Sequence, residues 1–182
     1  MSKIVFFCIP AYGHTNPTIE VVRELVKRGN QVHYYSFYEF RSRIEETGAV
    51  CIPCDDFMPP APKDIDKKVG KDLSSLVDMT VDVTLAMEDK VLGELRAWKP
   101  DCIVSDSICI WGKLYAKKLN VPFVCSTTTF AFNQQTARLM KQSLSELLRM
   151  LSGMPRINAR LRQLRRHGYE IRQFYELLQN DN

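Results

Sequence analysis

The chain carries Ile4-Val-Phe-Phe-Cys-Ile-Pro-Ala-Tyr-Gly-His14-Thr-Asn-Pro17 near its start, and this stretch indicates the fold most clearly. Its apolar first half is too short to span a membrane and predicts a parallel strand that is buried on both faces. Pro10 and Gly13 then favour a turn. Asn16 can cap a helix that begins at Pro17, and later apolar residues share one face of that helix: Val21, Val22, Leu25 and Val26.

This arrangement predicts that His14 lies at the carboxyl edge of the first strand, beside a helix N-terminus. Ligands of open α/β sheets bind at that edge. Imidazole titrates near neutral pH and can act as a base there, although a lone histidine is often a structural residue. The turn holds a single glycine, Gly13, which argues against the glycine-rich fingerprint of dinucleotide-binding sites.

Strand and helix patterns alternate along the first part of the chain. Further strands are predicted at Gln31–Ser36, Val50–Pro53, Cys102–Ser105 and Pro122–Ser126. Helices are predicted between them, at 39–47, within 64–98 and at 107–119, with a proline-rich loop at 55–62. This alternation predicts an α/β fold with a Rossmann-like parallel sheet flanked by helices and right-handed crossovers.

Strand patterns end after Thr129. We expect one domain over residues 1–182, with an α/β core over about 1–130 and a helical extension over 131–182. The extension is predicted to form helices at 132–151 and 155–178, broken at Gly153-Met154-Pro155 and at Gly168. Its basic residues suit either a solvated helix face, which we favour, or a surface for phosphates or anionic lipid.

The composition is that of an ordinary globular protein, with 45% hydrophobic residues and a net charge of +4 over 182 residues. The charge is too small to indicate a nucleic-acid partner. No stretch is long enough for stable membrane insertion, and the absence of a basic leader favours the cytoplasm. The acidic residues lack metal-ligand spacing, so we expect no metal.

The six cysteines are expected to be reduced in that compartment. Cys51 and Cys54 have the spacing of a redox or zinc half-site. However, they follow a strand instead of opening a helix, and no second pair of this spacing accompanies them. We therefore expect buried structural thiols.

Asp106 follows the fourth predicted strand directly. Because the carboxyl ends of parallel strands meet at one edge of the sheet, Asp106 and His14 are expected to approach each other. A carboxylate bonded to one imidazole nitrogen fixes the tautomer and stabilises the cation formed when the other nitrogen takes a proton. Alternatively, Asp106 or Ser107 caps the next helix, and the two roles are compatible.

Three segments resemble the N-terminal half of a GT-B glycosyltransferase, of the macrolide type related to UDP-glycosyltransferases. They are Pro10-Ala-Tyr-Gly-His-Thr-Asn-Pro17, Lys99-Pro-Asp-Cys-Ile-Val-Ser-Asp106 and the strand and loop over 119–128. The resemblance implies that His14 is the general base and that Asp106 orients it. The implied reaction is inversion at the anomeric carbon of a nucleotide sugar, taken to be a UDP-sugar, without a cofactor.

The resemblance also implies that this domain binds a small, largely apolar acceptor. The candidate acceptor-binding residues are aromatic and lie near predicted strand ends: Tyr12, Phe57, Trp111, Phe130 and Phe132. The family's donor domain, which holds most of the nucleotide sugar, has no counterpart here. We therefore expect little turnover by this chain alone and a donor domain in the same chain or in a companion chain.

Two other classes of function stay open at this point. One is a non-catalytic binding subunit that recruits a separate donor-domain chain. The other is an unrelated α/β protein that uses its basic C-terminal helices on nucleic acid or a membrane; salt-dependent binding would indicate it.

Overall fold

A computed structural model describes residues 1–59, 73–127 and 144–178. The strands are β1 (Lys3–Phe7), β2 (Gln31–Ser36), β3 (Val50–Pro53), β4 (Cys102–Asp106) and β5 (Phe123–Ser126). The helices are α1 (Tyr12–Lys27), α2 (Arg41–Glu45), α3 (Leu73–Trp98), α4 (Ile110–Leu119), α5 (Leu144–Arg166) and α6 (Tyr175–Leu178), with a 3₁₀ helix at Tyr38–Phe40.

The five strands form one parallel sheet in the order β3-β2-β1-β4-β5. Each face of the sheet has its own apolar core. Phe6 packs with residues of α1 and α2 on one face, and Val5 and Phe7 pack with α3, α4 and α5 on the other. The alternation follows from the two-residue period of a strand. The predicted fold class, a Rossmann-like parallel sheet covered on both faces, is confirmed.

Helix α1 begins earlier than the sequence predicted. It starts at Tyr12, with Ala11 at the N-cap and no side-chain cap, so the prediction of Asn16 as cap is wrong. The amides of His14 and Thr15 both bond to the Ala11 carbonyl, at 3.0 and 2.8 Å. Pro17 lies inside the helix, because its missing N–H removes only one bond of the ladder. His14 therefore lies in the first helical turn.

Helix α5 is also longer than expected. It continues through Gly153, Met154 and Pro155, where the sequence predicted a break. Gly153 lies near α3, where a Cβ would meet the Ser74 hydroxyl, a group that can rotate away. The break predicted at Gly168 is present, since Gly168 adopts φ +80° directly after the helix.

The remaining differences lie at element boundaries. The predicted helix at 39–47 is a 3₁₀ turn followed by the short α2, and the one at 107–119 begins at Ile110. Residues 55–59 of the predicted loop at 55–62 contain no helix or strand, and residues 60–62 lie outside the described residues, as do residues 132–143 of the predicted helix at 132–151. Within the described ranges, no helix combines the length and hydropathy needed to cross a membrane.

Candidate active site

The candidate site lies where the chain order of the sheet reverses. Strand β1 pairs with β2 on one side and with β4 on the other, and Phe7 is level with Ser105 near the ends of β1 and β4. Such a switch point leaves a crevice at the carboxyl edge, where open α/β sheets bind ligands. His14 lies in the first turn of α1, which follows β1, and Asp106 ends β4, so both lie at this edge of the sheet.

His14 and Asp106 meet directly despite 92 positions of separation, with Nδ1 of His14 2.9 Å from Oδ2 of Asp106. The Asp106 side chain is 0% exposed and that of His14 is 21% exposed. A buried carboxylate favours the tautomer in which Nδ1 carries the proton and donates it. The lone pair of the imidazole is then on Nε2, which is the nitrogen that can accept a proton.

Asp106 has a second bond on its other oxygen. Its Oδ1 accepts the backbone N–H of Ile108 at 2.9 Å, within the turn that leads to α4. The same carboxylate therefore bonds to the histidine and holds the turn behind it. The predicted contact with His14 is present, but the prediction that Asp106 or Ser107 caps the next helix is wrong: the N-cap of α4 is Cys109, without a side-chain cap, and Asp106 holds the turn before it.

The start of α1 is fixed to the sheet by buried threonines that the sequence analysis did not single out. Thr15 is 0% exposed, and its hydroxyl faces the Ile9 carbonyl at 3.4 Å. Thr18 shares a 2.7 Å hydrogen bond with the hydroxyl of Tyr34 on β2. Thr15 and Thr18 are one helical turn apart and share a buried face of α1. Because the predicted helix begins at Pro17, Thr15 is expected to lie outside it, and the prediction misses this spacing.

A close helix contact fixes the other half of the site. Gly112 of α4 lies so near β4 that a Cβ there would be 2.6 Å from Ser105 Cβ and 3.1 Å from the Phe7 ring. Ser105 in turn donates its hydroxyl hydrogen to the Cys109 carbonyl at 2.7 Å. Ser105 of β4, the residue before Asp106, is thereby held close to α4.

The predicted acceptor-binding residues lie in different environments. Tyr12 is 55% exposed and packs edge-on against Phe40. Phe57 is half-buried, with the Lys90 ammonium 4.0 Å from the centre of its ring. Trp111 is 2% exposed and belongs to the core. Phe130 and Phe132 lie outside the described residues. Contact of any of these side chains with an acceptor stays a prediction.

The thiols near the sheet are buried and protonated. Burial raises the pKa of Cys8 to about 12 and that of Cys51 to about 11. Burial also raises the pKa of Cys54, which packs on the opposite face of the sheet from Cys51. Within the parts of the chain that the structure describes, no three potential metal ligands converge.

The sequence is similar to that of several bacterial glycosyltransferases. Demethyllactenocin mycarosyltransferase of Streptomyces fradiae is 35% identical over 149 residues, which cover 75% of this chain and 32% of that protein. NDP-glycosyltransferase YjiC of Bacillus licheniformis is 37% identical over 137 residues, covering 72% of this chain and 34% of that protein. No protein-family model matches the chain.

Solved structures agree on the fold. The calicheamicin glycosyltransferase CalG4 superposes with a TM-score of 0.69 at 22% identity, covering 98% of this chain and 44% of that one. The kitacinnamycin glycosyltransferase gives a TM-score of 0.66 at 22% identity, over 89% of this chain and 38% of that one.

A GT-B sheet with a histidine and an aspartate at its switch point defines the class of protein. The homologues of the chain are macrolide and other natural-product NDP-glycosyltransferases of GT-B fold, and the chain belongs with them. It spans about a third of the length of the curated relatives it matches.

Proposed function

We propose that this chain is the acceptor-binding domain, over residues 1–182, of an inverting glycosyltransferase. The enzyme would transfer a sugar from a nucleotide sugar to a hydroxyl group of a small apolar acceptor. The observation that carries the proposal is the 2.9 Å contact between His14 and the fully buried Asp106 at the switch point of the sheet. The homology to NDP-glycosyltransferases supports it.

In the proposed reaction His14 is the general base. Its Nε2 takes the proton of the acceptor hydroxyl, whose oxygen attacks the anomeric carbon from the side opposite the leaving group. The new C–O bond forms as the bond from the anomeric carbon to the nucleoside diphosphate breaks, and the diphosphate leaves with that electron pair. Asp106 keeps the proton on Nδ1 and stabilises the imidazolium that forms.

The nucleotide sugar would be held mainly by a donor domain, in the same chain or in a companion chain, and the chain alone would turn over little substrate. The resemblance favours a UDP-sugar. Two structural neighbours, SsfS6 and the spinosyn rhamnosyltransferase SpnG, were solved with thymidine diphosphate. A donor panel for this protein therefore includes both UDP- and TDP-sugars.

A chimaera tests the proposal. This chain replaces the matching third of the NDP-glycosyltransferase YjiC of B. licheniformis, so that the relative supplies the remainder. Nucleoside diphosphate release is measured with phenolic and macrolide acceptors. His14→Ala is expected to lower the rate by about 10²- to 10⁴-fold, the usual contribution of general-base catalysis. Acceptor affinity should change little.

The chain offers a matched control. His167 also places Nδ1 2.9 Å from a carboxylate, that of Glu88, but lies at the end of α5. His167→Ala should leave the rate unchanged. Full turnover by the His14→Ala chimaera would contradict the base assignment. A chimaera that binds acceptor but shows no turnover even with His14 in place would favour the alternative of a non-catalytic binding subunit.

A further inference from the structure

The helical turn that carries His14 has little stability of its own. Its N-cap residue, Ala11, offers no side-chain hydrogen bond, and the first turn holds no acidic residue. Gly13 lowers helix propensity, and a Cβ at Gly13 would meet nothing within 4 Å, so no close packing requires the glycine. Pro17 removes one further hydrogen bond of this turn. Contacts from outside the helix must therefore hold it.

The hydrogen bond from His14 to Asp106 holds one side of this helical turn. Residues two positions before and after His14 lie about 200° around the helix from it, and so on the opposite side. These residues are Tyr12 and Asn16, and both contact the segment that follows β2.

Three contacts join the two segments. Arg43 of α2 donates from Nη1 to Asn16 Oδ1. The Arg43 guanidinium also lies over the Tyr12 ring, 5.9 Å from its centre. The same ring meets Phe40 edge-on at 5.0 Å. Arg43 thus bridges Tyr12 and Asn16, which lie two positions before and two positions after His14 in the sequence.

We propose that Arg43 is a positioning residue: by binding Asn16 and Tyr12 it fixes the first turn of α1 and so keeps His14 bonded to Asp106. The importance of this role for catalysis rests on the proposed function, but the positioning itself does not. Arg43 is exposed and is 29 positions from His14 in the sequence, so Arg43→Ala is expected to leave the core intact.

The test uses the 182-residue chain and two spectroscopic measurements. Long-range ¹H–¹⁵N spectra report the tautomer of each of the three histidines, with His14 assigned by the loss of its signals in His14→Ala. Amide hydrogen exchange at Thr15 reports opening of the first turn, because that amide bonds to the Ala11 carbonyl.

Wild-type His14 is expected to show one tautomer, with the proton on Nδ1. Arg43→Ala should shift its signals toward an average with the Nε2–H tautomer and speed exchange at Thr15 by about three- to tenfold, since a surface hydrogen bond contributes a modest net amount.

The control is Arg23→Ala. Arg23 also joins α1 to the end of α2, by donating to the Glu46 carbonyl at 3.3 Å, but two turns beyond His14. It should change neither measurement. Unchanged spectra and exchange in Arg43→Ala would overturn the proposal. So would equal effects of the two variants, or faster exchange at Thr15 without any change at His14. None of these outcomes depends on transferase activity, so failure of the proposed function would be seen separately.

Discussion

Replacing Asp106 by asparagine keeps the shape of the side chain and removes its charge. Asp106 bonds to the imidazole of His14 and to the N–H of Ile108, each at 2.9 Å. The asparagine oxygen can still accept from Ile108. Its amide nitrogen then faces Nδ1 of His14 as a donor, which favours the tautomer with the proton on Nε2. That nitrogen can no longer accept a proton from an acceptor hydroxyl.

The expected decrease in the rate of Asp106→Asn follows from the distance between His14 and Asp106. A unit charge pair at 2.9 Å attracts by roughly 5 to 6 kcal/mol at an effective dielectric constant of about 20. His14 is one-fifth exposed, so water compensates part of this attraction when the carboxylate is removed. A net loss of about 3 to 4 kcal/mol in stabilisation of the imidazolium corresponds to a rate decrease of about 10²- to 10³-fold.

The assay compares Asp106→Asn with Asp106→Ala in the YjiC chimaera, by turnover and by urea denaturation. The asparagine variant should lose turnover and stay within about 1 kcal/mol of the wild-type stability, because the bond to Ile108 is kept. The alanine variant should also lose about 1 to 3 kcal/mol of stability, since the Ile108 amide is left without its acceptor. Wild-type turnover in Asp106→Asn would refute the orienting role. Unfolding of Asp106→Asn would instead indicate that the carboxylate acts mainly in the fold.

Two further predictions concern stability. Gly112→Ala should destabilise the chain by about 1 to 3 kcal/mol in urea denaturation, since its Cβ would collide with Ser105. Gly93 of α3 has open space around it, so Gly93→Ala should stabilise the chain by up to about 1 kcal/mol. Equal effects of the two substitutions would contradict the packing argument. Burial opposes ionisation of Glu88, but hydrogen bonds from Lys118 and His167 outweigh it and hold its pKa below the usual value of 4.5. Its folded-state pKa lies below its unfolded-state pKa, so its contribution is complete above the unfolded-state value and is lost as the pH falls through the folded-state value. Glu88→Gln should therefore flatten the decrease in unfolding free energy between neutral and acidic pH, while the exposed Glu20→Gln should not.

The sheet could be predicted from the sequence because its strands are short, apolar and separated by clear turns. Strands β2 and β3 have the predicted bounds, and β4 differs by one residue. The boundaries of the helices were harder to predict from the sequence. The rule that proline favours the first helical position placed the start of α1 at Pro17, but the helix begins five residues earlier and holds Pro17 in its interior. Likewise, Gly153 and Pro155 predicted a break, whereas α5 continues through both.

The two central residues of the site could also be predicted, since Asp106 ends β4, His14 lies in the segment that follows β1, and parallel strands bring those positions to one edge of the sheet. The residues that hold these two in place could not be predicted from the sequence. Arg43 lies in a short helix rich in charge, and nothing in its local pattern distinguishes it from Arg41, which pairs with Glu45. Its contact with Asn16 arises only because α1 and α2 pack on the same face of the sheet.

Two histidine–carboxylate pairs of equal length lie within the described part of the chain, and their difference shows what identifies a site. His14 and His167 both place Nδ1 2.9 Å from a carboxylate oxygen. Glu88 is shared with the Lys118 ammonium, so its charge is already matched and His167, 48% exposed, adds to an ion cluster between helices. Asp106 is fully buried, bonds to His14 and to the Ile108 N–H, and ends β4 at the switch point of the sheet. The bond length is therefore uninformative by itself; burial, the other partners of the carboxylate and the position in the sheet distinguish the candidate base from the structural pair.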